Sequence, residues 1–209
     1  YDNPNWGIYG ESYGTNLVID GAEAYGDYSG IRIYGAGSIV RNSIVHDNTN
    51  IGIQAETGAL VTGNTVYGQT GSNAIGLYMS SSTAVGNVAY GNYDGIYTSY
   101  STVQNNRVYA NTNGGIHAVG YTNTVQGNMI YSNRYGIYSQ MGYSSGSSYY
   151  GDFINNVIYG NTESGIKLSG GPTYHITNNT IYQPVGDAII VSGGPYSTNL
   201  ANNIIWTDT

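Results

Sequence analysis

The sequence predicts an all-β solenoid, a parallel β-helix of about nine coils of 20–24 residues stacked along one axis. Three observations predict it. An Asn returns at Asn42, Asn64, Asn87, Asn106, Asn128, Asn156, Asn179 and Asn203, in steps of 19 to 28 residues, almost always followed by an aliphatic and then an aromatic residue. A second file runs in phase with it, a small residue and then an aliphatic: Gly7-Ile8, Gly30-Ile31, Gly52-Ile53, Ala74-Ile75, Gly95-Ile96, Gly115-Ile116, Gly136-Ile137, Gly165-Ile166 and Ala188-Ile189. Between these marks the apolar residues come in short pulses that alternate with polar ones, and alternation of period two indicates strand rather than helix.

One repeat shows each element in turn. The Gly-Ile pulse opens a coil, as at Gly95-Ile96 and Gly115-Ile116, a second pulse centres on Val103, and a third on Val108. Gly, Asn, Ser and Thr fill the joints, where left-handed or turn conformations are needed that β-branched residues resist. Three strands and three turns in ~22 residues make one coil, with neighbouring coils ~4.8 Å apart as paired strands are. The recurrent Asn falls between the second and third strands, at a bend only one or two residues long. Asn tolerates positive φ, and its amide both donates and accepts, so a ladder of stacked amides is expected to join coil to coil.

These Asn-x-Val-Tyr and Gly-Ile pulses resemble the right-handed parallel β-helix repeats of pectate lyases, alginate epimerases and lyases, phage tailspikes and many bacterial and archaeal surface proteins. The resemblance covers essentially the whole chain and implies a single-stranded right-handed solenoid. It implies little about activity, because one scaffold carries many. Alginate epimerases bear a Tyr-Gly-Phe-Asp-Pro-His stretch on the Gly-Ile strand; in the segment with the most similar flanks, Ser29 to Tyr34, its Tyr, Asp and His are replaced by Ser29, Arg32 and Tyr34. Pectate-lyase-like calcium clusters need several converging carboxylates, whereas the twelve acids here are scattered along the coils.

Composition narrows the function. The absence of any break in composition over residues 1–209 gives one elongated domain. Charged residues are 8% of the chain, Cys is absent, and 24 Tyr stand against one Phe, which suits an extracellular or cell-surface protein. A net charge of −7 with only five Lys and Arg disfavours nucleic acid as a partner. No apolar run approaches the ~20 residues of a membrane-spanning helix, so no membrane insertion is expected. The chain opens on Tyr1 without Met, consistent with a processed form or a piece of a larger surface protein. Neither end reads as a helical cap, so flanking domains or other copies of the chain are the expected partners of the end coils.

Two faces carry candidate chemistry. The residue after each Asn-x-aliphatic step forms an outward aromatic column of Tyr67, Tyr90, Tyr109, Tyr131, Tyr159, Tyr182 and Trp206, with Val45 at its head. Such a column stabilises the ladder or contacts a glycan or protein partner. The outward position of the Gly-Ile strand holds Tyr9, Arg32, Gln54, Gly76, Tyr97, His117, Tyr138, Lys167 and Ile190, with Asp94, Arg134 and Glu163 at strand entrances. Enzymes on the resembled fold tend to place catalytic groups on this face. A lyase or epimerase needs a base, an acid and a cation at the enolate, roles that His117, Tyr138 or Tyr97, and Lys167 or Arg134 can fill. An insertion at about 142–151 carries Tyr143, Tyr149 and Tyr150 on a Gly/Ser loop beside this face. No metal site and no cofactor is expected, since His46, His117 and His175 are isolated in sequence. The reading that follows is a non-catalytic extracellular module, structural or adhesive, with possible polysaccharide contact; the alternative is a polysaccharide-acting enzyme, a polyuronate lyase, epimerase or glycoside hydrolase.

Overall fold

The computed structural model describes residues 2–11, 16–120, 122–141, 150–170, 173–194 and 197–208. They form a parallel β-solenoid of three sheets, each nine strands deep, with no helix among the described residues. The first coil sets the pattern with Trp6–Glu11 in the first sheet, Val18–Asp20 in the second and Glu23–Tyr25 in the third. Every strand pairs in parallel with its counterpart one coil on, so like positions form files along the axis.

Alternation within each short strand sends one residue in and its neighbours out. The inward files are aliphatic: Ile31, Ile53, Leu77, Ile96, Ile116, Ile137 and Ile166 in the first sheet are fully buried, as are Val61, Val103 and Val125 in the second and Val66, Val108 and Ile130 in the third. Each such side chain contributes roughly 1.5–3 kcal/mol by leaving water. The largest side chain buried in the core is bonded there: the Tyr174 hydroxyl donates to the Gly170 carbonyl at 3.0 Å and lies 3.1 Å from Ser139 Oγ.

The glycines before the inward aliphatics are set by close approach. A Cβ on Gly95 would fall 2.7 Å from the Gly115 carbonyl oxygen and 2.5 Å from a Val108 methyl, and one on Gly136 would fall 2.4 Å from the Gly165 carbonyl oxygen. The pairings correct one expected register: Leu77 lies beside Ile53 and Ile96, so the fourth coil contributes Gly76-Leu77 to this file and not Ala74-Ile75.

The Asn ladder is present, displaced at its head. Asn64 donates from Nδ2 to Asn87 Oδ1 at 2.9 Å and to the Val40 carbonyl at 3.0 Å, while its backbone N–H donates to the same Asn87 oxygen. The pattern repeats through Asn106, Asn128, Asn156 and Asn179 to Asn203. Asn42 is not a member: it is exposed and donates to Asp20, and Ser43 occupies the slot, its N–H bonded to Asn64 Oδ1. The left-handed residue is also not the ladder Asn but the one before it, Gly63, Gly86, Asn105, Gly127, Asn155 and Asn178, with φ between 54° and 66°. One residue turns the corner and the next bonds across it.

A second amide ladder, not foreseen from sequence, closes the bend between the third sheet and the next coil. Asn92 donates to Asn111 Oδ1, Asn111 to Asn133 and Asn133 to Asn161, at 2.9 to 3.2 Å. Asn48 and Gln69 take the same slot before Asn92, and Gln183 takes it after Asn161, the two Gln oxygens accepting from the N–H of Asn48 and of Asn161.

On the third sheet's outer face the aromatic column starts earlier than expected. Val45 is fully buried, and Tyr25 and His46 precede Tyr67 instead. From Tyr25 to Tyr159 the rings stack with centroids 4.8 to 5.1 Å apart and planes within 8°. Trp206 meets Tyr182 edge to face at 5.6 Å. In the His46 ring Nδ1 lies 2.7 Å from Asp47 and Nε2 3.3 Å from Glu23. Burial of the ring pulls its pKa down, but the bonds to Asp47 and Glu23 outweigh this and hold it above the usual histidine value.

Three substitutions test this account of stability. Asn106→Ala removes an oxygen that takes two donors from Asn87 and an amide bonded to Ala84 and Asn128, and at about 1–3 kcal/mol per orphaned buried group it should cost about 3–5 kcal/mol in urea unfolding. Asn42→Ala, at an exposed left-handed corner, should cost only about 1–2 kcal/mol. Because the folded-state pKa of His46 is raised, its stabilisation is complete below the unfolded pKa of about 6.5 and is lost as pH rises through the folded value. The expected loss is under about 1 kcal/mol, and His46→Gln should flatten that part of the stability profile.

Candidate functional site

The expected functional face is the outer side of the first sheet. Strand pairing sets Tyr97, His117, Tyr138 and Lys167 on successive coils in one file, as expected, with Tyr78 preceding them. Tyr78 stands where the sequence reading had placed Gly76, a consequence of the same two-residue register correction. Arg32 and Gln54 hold their expected places in that file two and one coils before Tyr78.

The rings of this file pack irregularly, unlike those of the third sheet. Tyr78 stacks on Tyr97 at 5.3 Å, His117 meets Tyr97 nearly edge-on with planes at 73°, and His117 stacks on Tyr138 at 4.7 Å. The cause lies in Asp94, a buried carboxylate at the entrance of the Tyr97 strand. Its Oδ1 accepts from Asn113 Nδ2 at 2.9 Å and from the Gly114 N–H at 2.8 Å, and its Oδ2 lies 2.8 Å from His117 Nδ1. A carboxylate only accepts, so His117 Nδ1 carries the proton and turns the ring out of the stacking plane. His117 Nε2 is buried and has no hydrogen-bond partner. The Asp94–His117 pair was not foreseen: Asp94 was placed only near the face, and no spacing in the sequence links it to a residue 23 positions away.

Tyr135, which the sequence reading did not single out, is the hub of the neighbouring cluster. Its hydroxyl donates to Glu163 Oε1 at 2.6 Å and accepts from Lys167 Nζ at 3.0 Å. The Lys167 ammonium lies 4.4 Å from the Tyr135 ring centroid and 5.5 Å from that of Tyr138, and Arg134 Nε donates to Glu163 Oε2 at 2.6 Å. The bond from Tyr135 and then that from Arg134 hold the Glu163 carboxyl below the usual range, so it is ionised at neutral pH. The bond to the Tyr135 oxygen keeps the Lys167 ammonium above its usual pKa against partial burial. Burial raises the Tyr97 and Tyr138 phenols, with Lys167 opposing the rise at Tyr138, so both present O–H groups and not phenolates.

Chemically the stretch from Tyr78 to Lys167 offers protonated phenols, the Lys167 ammonium, and one imidazole nitrogen closed off beneath its neighbours. Among the described residues no group of three or more His, Asp or Glu side chains is arranged to hold a metal ion. Of the inserted loop, Tyr150 is exposed beside His175, with ring centroids 6.3 Å apart, and His175 Nδ1 lies 2.7 Å from Asp152. Tyr143 and Tyr149 lie outside the described residues. The column residues Tyr67 to Tyr131 have both ring faces covered by neighbouring rings, so the contacts open to a ligand there are ring edges and hydroxyls.

Solved structures share this architecture. The A-module of the Azotobacter vinelandii mannuronan C-5 epimerase AlgE6 is 21% identical, with a TM-score of 0.69 over 91% of this chain and 58% of that one. A double mutant of the periplasmic alginate epimerase AlgG is 18% identical, with a TM-score of 0.73 over 90% of this chain and 50% of that one. The Dettilon tailspike protein gp208 is 15% identical, with a TM-score of 0.65 over 98% of this chain and 54% of that one. The chain thus spans about half the length of these proteins, and at such identities the likeness is one of fold. No curated protein matches the sequence. The family described as the right handed beta helix region matches residues 1–123 and 55–205, and with nine parallel strands in each of three sheets this chain belongs to it.

Proposed function

We propose that this chain is a non-catalytic extracellular β-helix module of a secreted or cell-surface protein, which holds a polysaccharide against the outer face of its first sheet. The observation that carries this reading is the file Tyr78, Tyr97, His117, Tyr138 and Lys167, which sets rings, phenolic O–H groups and one cation on a surface only one residue wide per coil. Aromatic rings with polar tips suit a ligand that is apolar on its ring faces and hydroxylated at its rim, as a sugar is. Structural neighbours include two alginate epimerases and a phage tailspike, which supports a glycan as the ligand class. Catalysis is disfavoured by the site's chemistry: the phenols are raised in pKa, and the free nitrogen of His117 is covered.

A second reading rests on a specific observation. Asp94 fixes His117 Nδ1–H and leaves Nε2 with a free lone pair, the arrangement a general base requires. If Tyr138 swings aside on binding, that nitrogen and Lys167 become the base and the cation of a polyuronate lyase or epimerase.

The test is incubation with alginate and pectate, following absorbance of unsaturated products and C5 configuration by NMR, alongside retention on the immobilised polymers. The expected result is no product, with retention weakened about 10-fold by Tyr97→Ala, the loss of one ring contact worth about 1.5 kcal/mol. Product formed by the native chain and abolished by His117→Ala would replace the first reading by the second.

A further inference from the structure

We propose that the outer face of the third sheet is a second, separate binding surface, for a largely neutral polysaccharide carrying occasional carboxylate groups, with Arg107 as the anchor for the acid. The chain has five Lys and Arg residues, and four of them face a carboxylate: Arg32 with Glu56, Arg41 with Asp20, and Arg134 and Lys167 with Glu163. Arg107 is the exception among the described residues. It is exposed at mid-column, its Nε donates to the Tyr131 hydroxyl at 2.8 Å, and its guanidinium carbon lies 4.9 Å from the Tyr109 ring centroid and 5.6 Å from that of Tyr131. Nε and Nη2 both serve Tyr131, and among the described residues no other acceptor is bonded to the guanidinium. A planar fork held by two rings and left without a counterion is prearranged for a carboxylate.

The surroundings define the rest of the ligand. From Thr65–Tyr67 to Val157–Tyr159 the strands of this face carry no carboxylate and Arg107 is their one charged side chain, while on the next coil the Tyr182 hydroxyl donates to Asp208 at 3.0 Å. The stacked tyrosines turn their edges outward, and ring edges carry the positive part of the quadrupole. Burial keeps the phenols of Tyr90, Tyr109 and Tyr159 protonated beyond their usual range, so each rung offers an O–H. A row of identical polar groups recurring every 4.8 to 5.0 Å matches a polymer that repeats its own hydroxyls better than it matches the irregular surface of a folded protein. One unpaired cation on this face matches a polymer with sparse acid groups, since a uniformly charged one would leave most of its carboxylates without a partner here. The proposal shares with the function argued above only the class of ligand; the residues lie on different sheets.

The experiment compares retention of the whole chain on glucuronoxylan and on the same polymer after carboxyl reduction. Native protein is expected to bind the acidic form about 10-fold more tightly, the worth of one charge-assisted hydrogen-bonded pair. Arg107→Gln should erase that difference, Arg107→Lys should restore part of it, and Arg41→Gln on the second sheet, outside both surfaces, should leave it intact; thermal melts of all three variants establish that the coils are folded. Equal retention of the two polymers by native protein, an undiminished preference in Arg107→Gln, or loss of the preference in Arg41→Gln would each overturn the proposal. Tyr97→Ala is the control for the first-sheet reading, since weaker retention of both polymers by that variant, with the preference unchanged, marks two surfaces.

Discussion

Coil-on-coil contact through side-chain amides is the constraint on which everything else in this molecule rests. From Asn87 onward each ladder Asn takes two donors from the coil before it and donates to a carbonyl of that coil, so a bend that would otherwise bury unpaired peptide groups is satisfied by its neighbour. The glycine file imposes the same spacing on the first sheet by steric means, since no Cβ fits between Gly95 and the Gly115 carbonyl. Amides fix the corner, glycines fix the gap, and the aliphatic files fill what lies inside. With no disulfide to assist, these are the forces that keep the rungs in register.

Two outer faces built on this one scaffold behave differently because of where their polar partners lie. On the third sheet Asp47 and Glu23 bond His46, and Arg107 bonds Tyr131, without turning the rings from a regular parallel stack. On the first sheet Asp94 draws His117 out of plane, and Tyr135 gathers Glu163 and Lys167 into a hydrogen-bonded cluster. Regularity yields a uniform surface. Interruption yields a local one, with atoms at distinct and non-repeating positions.

Sequence made the solenoid legible because its signals are periodic. The Gly-Ile pairs and Asn rungs marked the three-strand coil, and most register followed from them. Errors came where one repeat offers two equivalent matches: Asn42 adjoins the true rung at Ser43, Ala74-Ile75 lies two residues before Gly76-Leu77, and Val45 precedes His46. Strand pairing chooses between such neighbours, and a pattern of small and aliphatic residues does not. The second ladder did leave a trace, an Asn five residues after the first in Asn87/Asn92, Asn106/Asn111, Asn128/Asn133 and Asn156/Asn161. The candidate file was legible in the same way, Tyr97 to Lys167 being one repeat apart. The partners that give it chemistry were not: Asp94 and Tyr135 act through side-chain geometry across coils, which has no period to read.

The amide ladder also has a direction. At Asn64, Asn87, Asn106, Asn128, Asn156 and Asn179 the backbone N–H donates toward the coil that follows, never toward the one before. A newly made coil therefore carries an open donor until its successor is laid down, while the successor finds its own carbonyl acceptor already in place. The residue after each rung points the other way, as Val88 N–H does to the Asn64 carbonyl, so a cut on the carboxyl side of a coil orphans the rung's own N–H and a cut on the amino side that of its successor.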